Sequence, residues 1–176
     1  QAPLYSDTRI VDNDNRPLPA GERGEICLRG PNIMKGYWNR PEATAEAIDA
    51  EGWFHSGDIG YLDEDGFLFI CDRLKDMVIS GGENVYPAEV EGALYRHEAI
   101  AEVAVIGMPD DKWGEAVTAV VALHSGKELT LEELREFAEP LLARYKLPLR
   151  LHIVDALPRN PAGKVLKFVL KEQLED

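Results

Sequence analysis

The stretch Asp72–Glu91, DRLKDMVISGGENVYPAEVE, divides the chain. Arg73 and Lys75 flank Leu74, so an extended backbone points both cations to one side. Met77, Val78 and Ile79 form a short apolar run of strand type. Ser80-Gly81-Gly82 interrupts it and lets backbone approach another group closely. Pro87, followed by Glu89 and Glu91, marks a helix start. Taken alone, the segment fits a strand, a turn and a surface helix joined by charged linkers as well as it fits a functional loop.

Upstream, residues 1–74 read as β-rich. TRIVD, GEICLRG and GFLFICD alternate or run apolar, with turn signals between them, and Asp65-Gly66 suits a hairpin. One helix is expected from Pro41 to about Ala50, with Ala43, Ala47 and Ile48 on its apolar face. Downstream, residues 75–176 alternate helices and strands. Helix is expected over Pro87–His97, strand over Glu102–Ile106, Ala116–Leu123 and Arg150–Val154, and a last helix from about Lys164. Thr130 and Glu133 have capping-box spacing, and Pro140 is expected to kink or split the helix that follows. The fold class is therefore α+β, with the boundary near Lys75.

A net charge of −13 disfavours a nucleic-acid binder, which needs a basic face. One local exception runs from Arg144 to Lys171, with seven Lys or Arg and a single acid, Asp155. An anionic ligand would be drawn there, although a solvated basic face is as common. No apolar run approaches the roughly 20 residues of a membrane helix, and peripheral membrane contact is left open. Cys27 and Cys71 lie in strand-like apolar runs without metal spacing, and the four His are scattered. This predicts buried structural thiols, no metal site and a reducing, cytoplasmic setting.

Three constellations can carry chemistry. In Trp53-Phe54-His55-Ser56-Gly57-Asp58, Gly57 admits close approach and Asp58 can accept from a ligand's hydroxyl pair, as in ribose recognition; otherwise it is a Ser-Gly-Asp turn before a strand. Arg73 with Lys75 is the second, or else a pair of solvated cations. Pro158–Lys164, PRNPAGK, is the third: a stiff loop presenting a Lys that can reach a phosphate or carboxylate as a point charge. It lacks the glycine spacing and Ser/Thr of a Walker loop. Lys164 at a helix N-terminus would be electrostatically disfavoured, which supports a special role. Gly107–Glu115, GMPDDKWGE, reads as a long structural turn with a Trp anchor.

GERGEICLRGPNIMKGYWNRPEAT, GWFHSGD, DRLKDMVISGGENVYPAEVE and PRNPAGK, in this order, resemble the adenylate-forming superfamily of acyl-CoA synthetases, adenylation domains and beetle luciferases. The wording is similar to the fatty-acyl-CoA synthetase branch. The resemblance implies the β-rich remnant of a large domain's distorted β-barrel subdomain (1–74), then a small mobile α+β domain (75–176) with a central sheet flanked by helices. It implies a two-step reaction, from carboxylic acid and ATP to acyl-adenylate, then to acyl-CoA with coenzyme A. Asp58 and Arg73 would hold the ribose, Lys75 would be the hinge, and Lys164 would bridge carboxylate and nucleotide. Ser80, Gly81, Gly82 and Glu83 would line the pantetheine channel after domain rotation. The family's phosphate loop and Tyr-Gly-x-Thr-Glu segment are not among these residues, nor are the expected Mg2+ ligands. The partners implied are the small-molecule substrates and an N-terminal domain of the same enzyme, and these residues alone are expected to be inactive. Loading of a carrier protein, or a non-catalytic interaction module of the same fold, are the alternatives.

Overall fold

The computed structural model describes residues 5–175. The chain divides into two compact units, Gln1–Lys75 and Asp76–Asp176.

The first unit is an antiparallel meander of four strands, β1 (Asp7–Val11), β2 (Gly24–Arg29), β3 (Phe54–Leu62) and β4 (Leu68–Arg73), in that spatial order. The sheet is open, with β1 and β4 at its edges among the described residues. Asp63–Phe67 closes the β3–β4 hairpin, and Asp63 Oδ1 accepts from the N–H groups of Asp65 and Phe67. The strand expected after HSGD instead begins at Phe54 and runs through it. Between β2 and β3 lies α1 (Pro41–Ala47), shorter than expected and without a buried side chain. Asp49 explains the early end. Its Oδ1 takes the N–H groups of Glu51 and Trp53, which gives the backbone a turn in place of helical bonds, and Ile48 bridges to Phe54. The apolar centre is Val11, Cys27 and Trp53. Arg9 and Arg29 both lie over the Trp53 ring, 4.2 Å and 4.4 Å from its centroid.

Lys75 belongs to a 3-10 turn, Leu74–Asp76, so the extended geometry expected for Arg73 and Lys75 stops at Arg73.

The second unit contains β5 (Val78–Ser80), β6 (Glu83–Val85), α2 (Pro87–Leu94), β7 (Ile100–Asp110), β8 (Gly114–Leu123), α3 (Leu131–Ala138), β9 (Arg150–Ile153) and α4 (Lys167–Glu175). β7 and β8 form its long hairpin; the other edge of β8 meets β5 at Gly114 and β9, in parallel, over Thr118–Val121. Alternate β7–β8 side chains serve two cores. Val105, Val117, Ala119 and Val121 join Val90 and Leu94 of α2 and Leu134 and Ala138 of α3. Ala104, Ile106, Met108 and Val120 join Leu157 and Leu170, the latter on α4. Each fully buried Leu or Val here contributes about 1.5–3 kcal/mol. Helices thus flank a central sheet.

Local chemistry sets the ends of these elements. Thr130 Oγ1 accepts from the Glu133 N–H while Glu133 Oε2 accepts from the Thr130 N–H, completing the expected capping box. Pro140 does not kink α3, because the helix has already ended at Ala138. The strands around GMPDDKWGE extend into it, leaving only Asp111–Trp113 as a turn. α2 stops at Leu94, short of His97. α4 starts at Lys167, so Lys164 lies outside the helix and the dipole argument for it fails.

Candidate functional site

In the first unit, the HSGD segment is a β-bulge. Glu25 faces Ile59 and Cys27 faces His55, so one β2 residue, Ile26, is spanned by Ser56, Gly57 and Asp58 of β3. Side chains pin the excess backbone. Ser56 Oγ donates to the Ile26 carbonyl and accepts from the Asp58 N–H, and the Gly57 N–H donates to Glu25 Oε1 at 3.0 Å. Gly57 has φ of +69°, a conformation that glycine takes without strain. The bulge sets Asp58 opposite Arg73 of β4, and Arg73 Nε lies 3.0 Å from Asp58 Oδ1. The two expected nucleotide contacts are therefore one half-exposed, charge-assisted pair with hydrogen-bonding capacity left over. Lys75, exposed, is the last residue of this unit.

In the second unit, Ser80 and Glu83 pair across a two-residue hairpin turn made of Gly81 and Gly82, with φ of +62° and +84°. The Gly81 N–H donates to the Trp113 carbonyl, and a Cβ on Gly81 would stand 2.8 Å from the Trp113 ring, whereas one on Gly82 would meet open space. Packing by Trp113 is thus one reason for glycine at 81. Ser80 is buried; Gly81, Gly82 and Glu83 are exposed.

Trp113 and Ser80 also line a cavity of about 500 Å³ with Lys112, Arg135, Arg144 and Tyr145. Of these cations, only Arg144 belongs to the basic run noted in the sequence. Much of that run is neutralised: Lys146 pairs with Glu89, Arg150 with Asp110, Arg159 with Glu102 and Lys167 with Glu91. The cationic concavity is therefore assembled from β8's approach turn, α3 and the segment before β9, which lie far apart in sequence.

Lys164 is exposed on a tied loop. Asn160 Oδ1 accepts from the N–H groups of Ala162 and Lys164, Arg159 donates to the Gly163 carbonyl, and Arg159 bridges to Val165. The backbone is fixed while the Lys164 ammonium has no partner among the described residues. Lys164 belongs to a different unit from Asp58 and Arg73.

One group escaped the sequence reading. Glu25, Cys27 and His55 converge from β2 and β3, with one ligand-type atom from each within 4.8 Å of the others. Burial, then the Glu25 carboxylate, pushes the Cys27 thiol up to about 11 against the pull of Arg9. Burial also pushes the Asp49 carboxyl up, but the Trp53 and Glu51 N–H groups outweigh it and hold Asp49 below its ordinary range. Cross-strand register, not local spacing, creates this cluster; the signal available was only the alternation of Glu25 and Cys27 on one face.

The chain as a whole has counterparts among known proteins. The AMP-binding enzyme model matches residues 2–38, and the AMP-binding enzyme C-terminal domain model matches residues 89–164. The chain belongs to the adenylate-forming superfamily. It is 48% identical to a 2-succinylbenzoate–CoA ligase of Geobacillus sp. (strain WCH70), over 97% of this chain and 34% of that protein. It is also 48% identical to the long-chain-fatty-acid–CoA ligase FadD13 of Mycobacterium tuberculosis, over 98% and 34%. Among solved structures, ATP-bound MatB from Rhodopseudomonas palustris superposes with a TM-score of 0.90 at 40% identity, covering 98% of this chain and 34% of that one. The chain thus spans about a third of the length of these adenylate-forming relatives. Among the described residues, no helix is long and apolar enough to cross a membrane.

Proposed function

We propose that this chain supplies the ribose-holding pair, the hinge and both half-reaction loops of an ATP-dependent carboxylic acid–CoA ligase, acting on a fatty or related acid. Residues 1–74 close a larger nucleotide-holding domain, and residues 75–176 form a small domain that swings about Lys75. The reading is carried by Lys164, a charge without a partner among the described residues on a loop whose backbone is already fixed. A preorganised cation of this kind stabilises charge that grows on phosphorus as carboxylate attacks the α-phosphate, with pyrophosphate leaving. Asp58 accepts from the ribose hydroxyls and Arg73 donates beside it, so the nucleotide enters a pair already aligned.

In the second half-reaction the domain turns, Lys164 departs, and the Ser80–Glu83 turn arrives. The coenzyme A thiol attacks the acyl carbon and AMP leaves. Exposed Gly81 and Gly82 leave room for pantetheine, and the cavity of Lys112, Arg135 and Arg144 suits the anionic end of coenzyme A. Mg2+ accompanying ATP is assigned to residues beyond this third of the enzyme. Among the described residues no disulfide joins Cys27 to Cys71, which fits a cytoplasmic setting.

Lys164→Ala in the full-length enzyme tests this assignment. ATP–pyrophosphate exchange is expected to fall by about 10²–10³-fold, while thioester formation from supplied acyl-adenylate stays near normal. Equal loss of both steps would defeat the assignment. The 176 residues alone are expected to catalyse no exchange. Offering coenzyme A and a carrier protein to the full-length enzyme separates the two acceptors.

A further inference from the structure

We propose that Glu25, Cys27 and His55 form a binding site for one borderline-soft divalent cation, such as Zn2+, on the β2–β3 face. The donor set is thiolate, imidazole and carboxylate, three of the four ligands that tetrahedral Zn2+ takes. Cys27 Sγ is 3.5 Å from His55 Nδ1, and Glu25 Oε2 is 2.7 Å from the same nitrogen. Tetrahedral Zn2+ with ordinary bond lengths holds S and N about 3.5 Å apart and N and O about 3.3 Å apart. The first separation is already met, and the second needs the carboxylate to withdraw by about half an ångström.

The surroundings orient each ligand. Glu25 Oε1 is occupied by the Gly57 N–H, which leaves Oε2 facing the site. His55 Nε2 faces Asp49 Oδ2 at 3.7 Å, so an Nε2–H directed at a carboxylate frees Nδ1 to coordinate. Cys27 is fully buried, which fixes its sulfur. Arg9 lies opposite Cys27 in the β1–β2 register, and its buried Nε has no hydrogen-bond partner among the described residues. An ionised sulfur beside it supplies an acceptor. Asp49 and Glu51 offset the Arg9 charge. On binding, the metal–sulfur bond replaces the S–H bond and that proton leaves to solvent. His55 binds as the neutral imidazole with its hydrogen on Nε2, so any proton on Nδ1 also leaves to solvent. The site therefore adds a metal clamp between two strands, independent of the acid–CoA ligase reading.

The test is titration of chelator-treated protein with Co2+. A thiolate-to-cobalt charge-transfer band is expected to saturate at one equivalent and to be displaced by Zn2+. Cys71→Ser should leave it intact and Cys27→Ser should abolish it, with circular dichroism to check folding. Asp49→Asn should weaken Co2+ binding by about 10–100-fold. Glu25→Gln keeps an acceptor for Gly57 while losing the charge, and should weaken binding at least about tenfold; it carries the test if Cys27→Ser fails to fold. No saturable band, a band that survives Cys27→Ser, or unchanged affinity in folded Glu25→Gln overturns the proposal.

Discussion

In the first unit, Ile10, Val11, Ile26, Cys27, Trp53 and Ile59 are the buried apolar side chains among the described residues, while Phe67, Phe69 and Ile70 of the β3–β4 hairpin stay exposed. In the second unit, one sheet is covered on both faces, by α2 and α3 and by α4, and its strands read Ala104-Val105-Ile106 and Val117 to Val121 without an exposed position. The difference separates two tasks. The second unit has the core of an independent domain, consistent with the proposed rigid-body swing. The first offers strands and the proposed ribose-holding pair but little interior, and below about 70–80 residues a core rarely supplies more than 3–5 kcal/mol. The sharpest way to break this contrast is to express each unit alone. Residues 76–176 should unfold cooperatively in urea with about 5–15 kcal/mol of stability, and residues 1–75 should show no cooperative transition. A cooperative transition in the shorter piece would mean that its exposed hairpin hides a core not visible in these contacts.

Within the second unit, Gly81 and Gly82 sharpen the same point at one turn, since both have positive φ but only Gly81 lies under a side chain. Gly82→Ala should cost about 1–2 kcal/mol, the price of a left-handed L-residue. Gly81→Ala adds displacement of the Trp113 ring and should cost about 1–3 kcal/mol more. Urea melts of the two variants check this, and equal losses would show that backbone conformation alone requires glycine there.

The parts of the structure legible in the sequence are those governed by near neighbours. Alternation marked β1, β2 and β4, Asp65-Gly66 marked a hairpin, and Thr130 with Glu133 marked the start of α3. The misses come from competition or from distance. Asp49 ends α1 by offering a side-chain carboxylate oxygen to the next N–H groups, and Asn160 offers its amide oxygen in the same way before α4, so periodicity overran both ends. The bulge that pairs Asp58 with Arg73 depends on cross-strand register, as does the grouping of Glu25, Cys27 and His55. The basic run near the C-terminus was legible as charge but not as geometry. Lys146 finds Glu89 and Arg159 finds Glu102 across 57 residues each, while Lys112 and Arg135, outside the run, join Arg144 at the cavity.

The smallest expected effect concerns acid. At the end of the β7–β8 hairpin, the N–H groups of Trp113 and Lys112, followed by Arg150, hold the Asp110 carboxyl below the ordinary range. Its folded-state pKa lies under the unfolded value, so its stabilising contribution is complete above the unfolded pKa of about 3.9. It is lost as pH falls through the lower folded value, where the bonded carboxylate must take up a proton. Asp110→Asn removes this titration but leaves an acceptor for the two N–H groups. The variant should therefore be less stable than the parent at neutral pH, and the gap should narrow below about pH 4. Urea midpoints of residues 76–176 across that range measure the gap. A gap independent of pH would place the role of Asp110 in its hydrogen-bond geometry alone, and would leave Arg150 to act on the hairpin through packing.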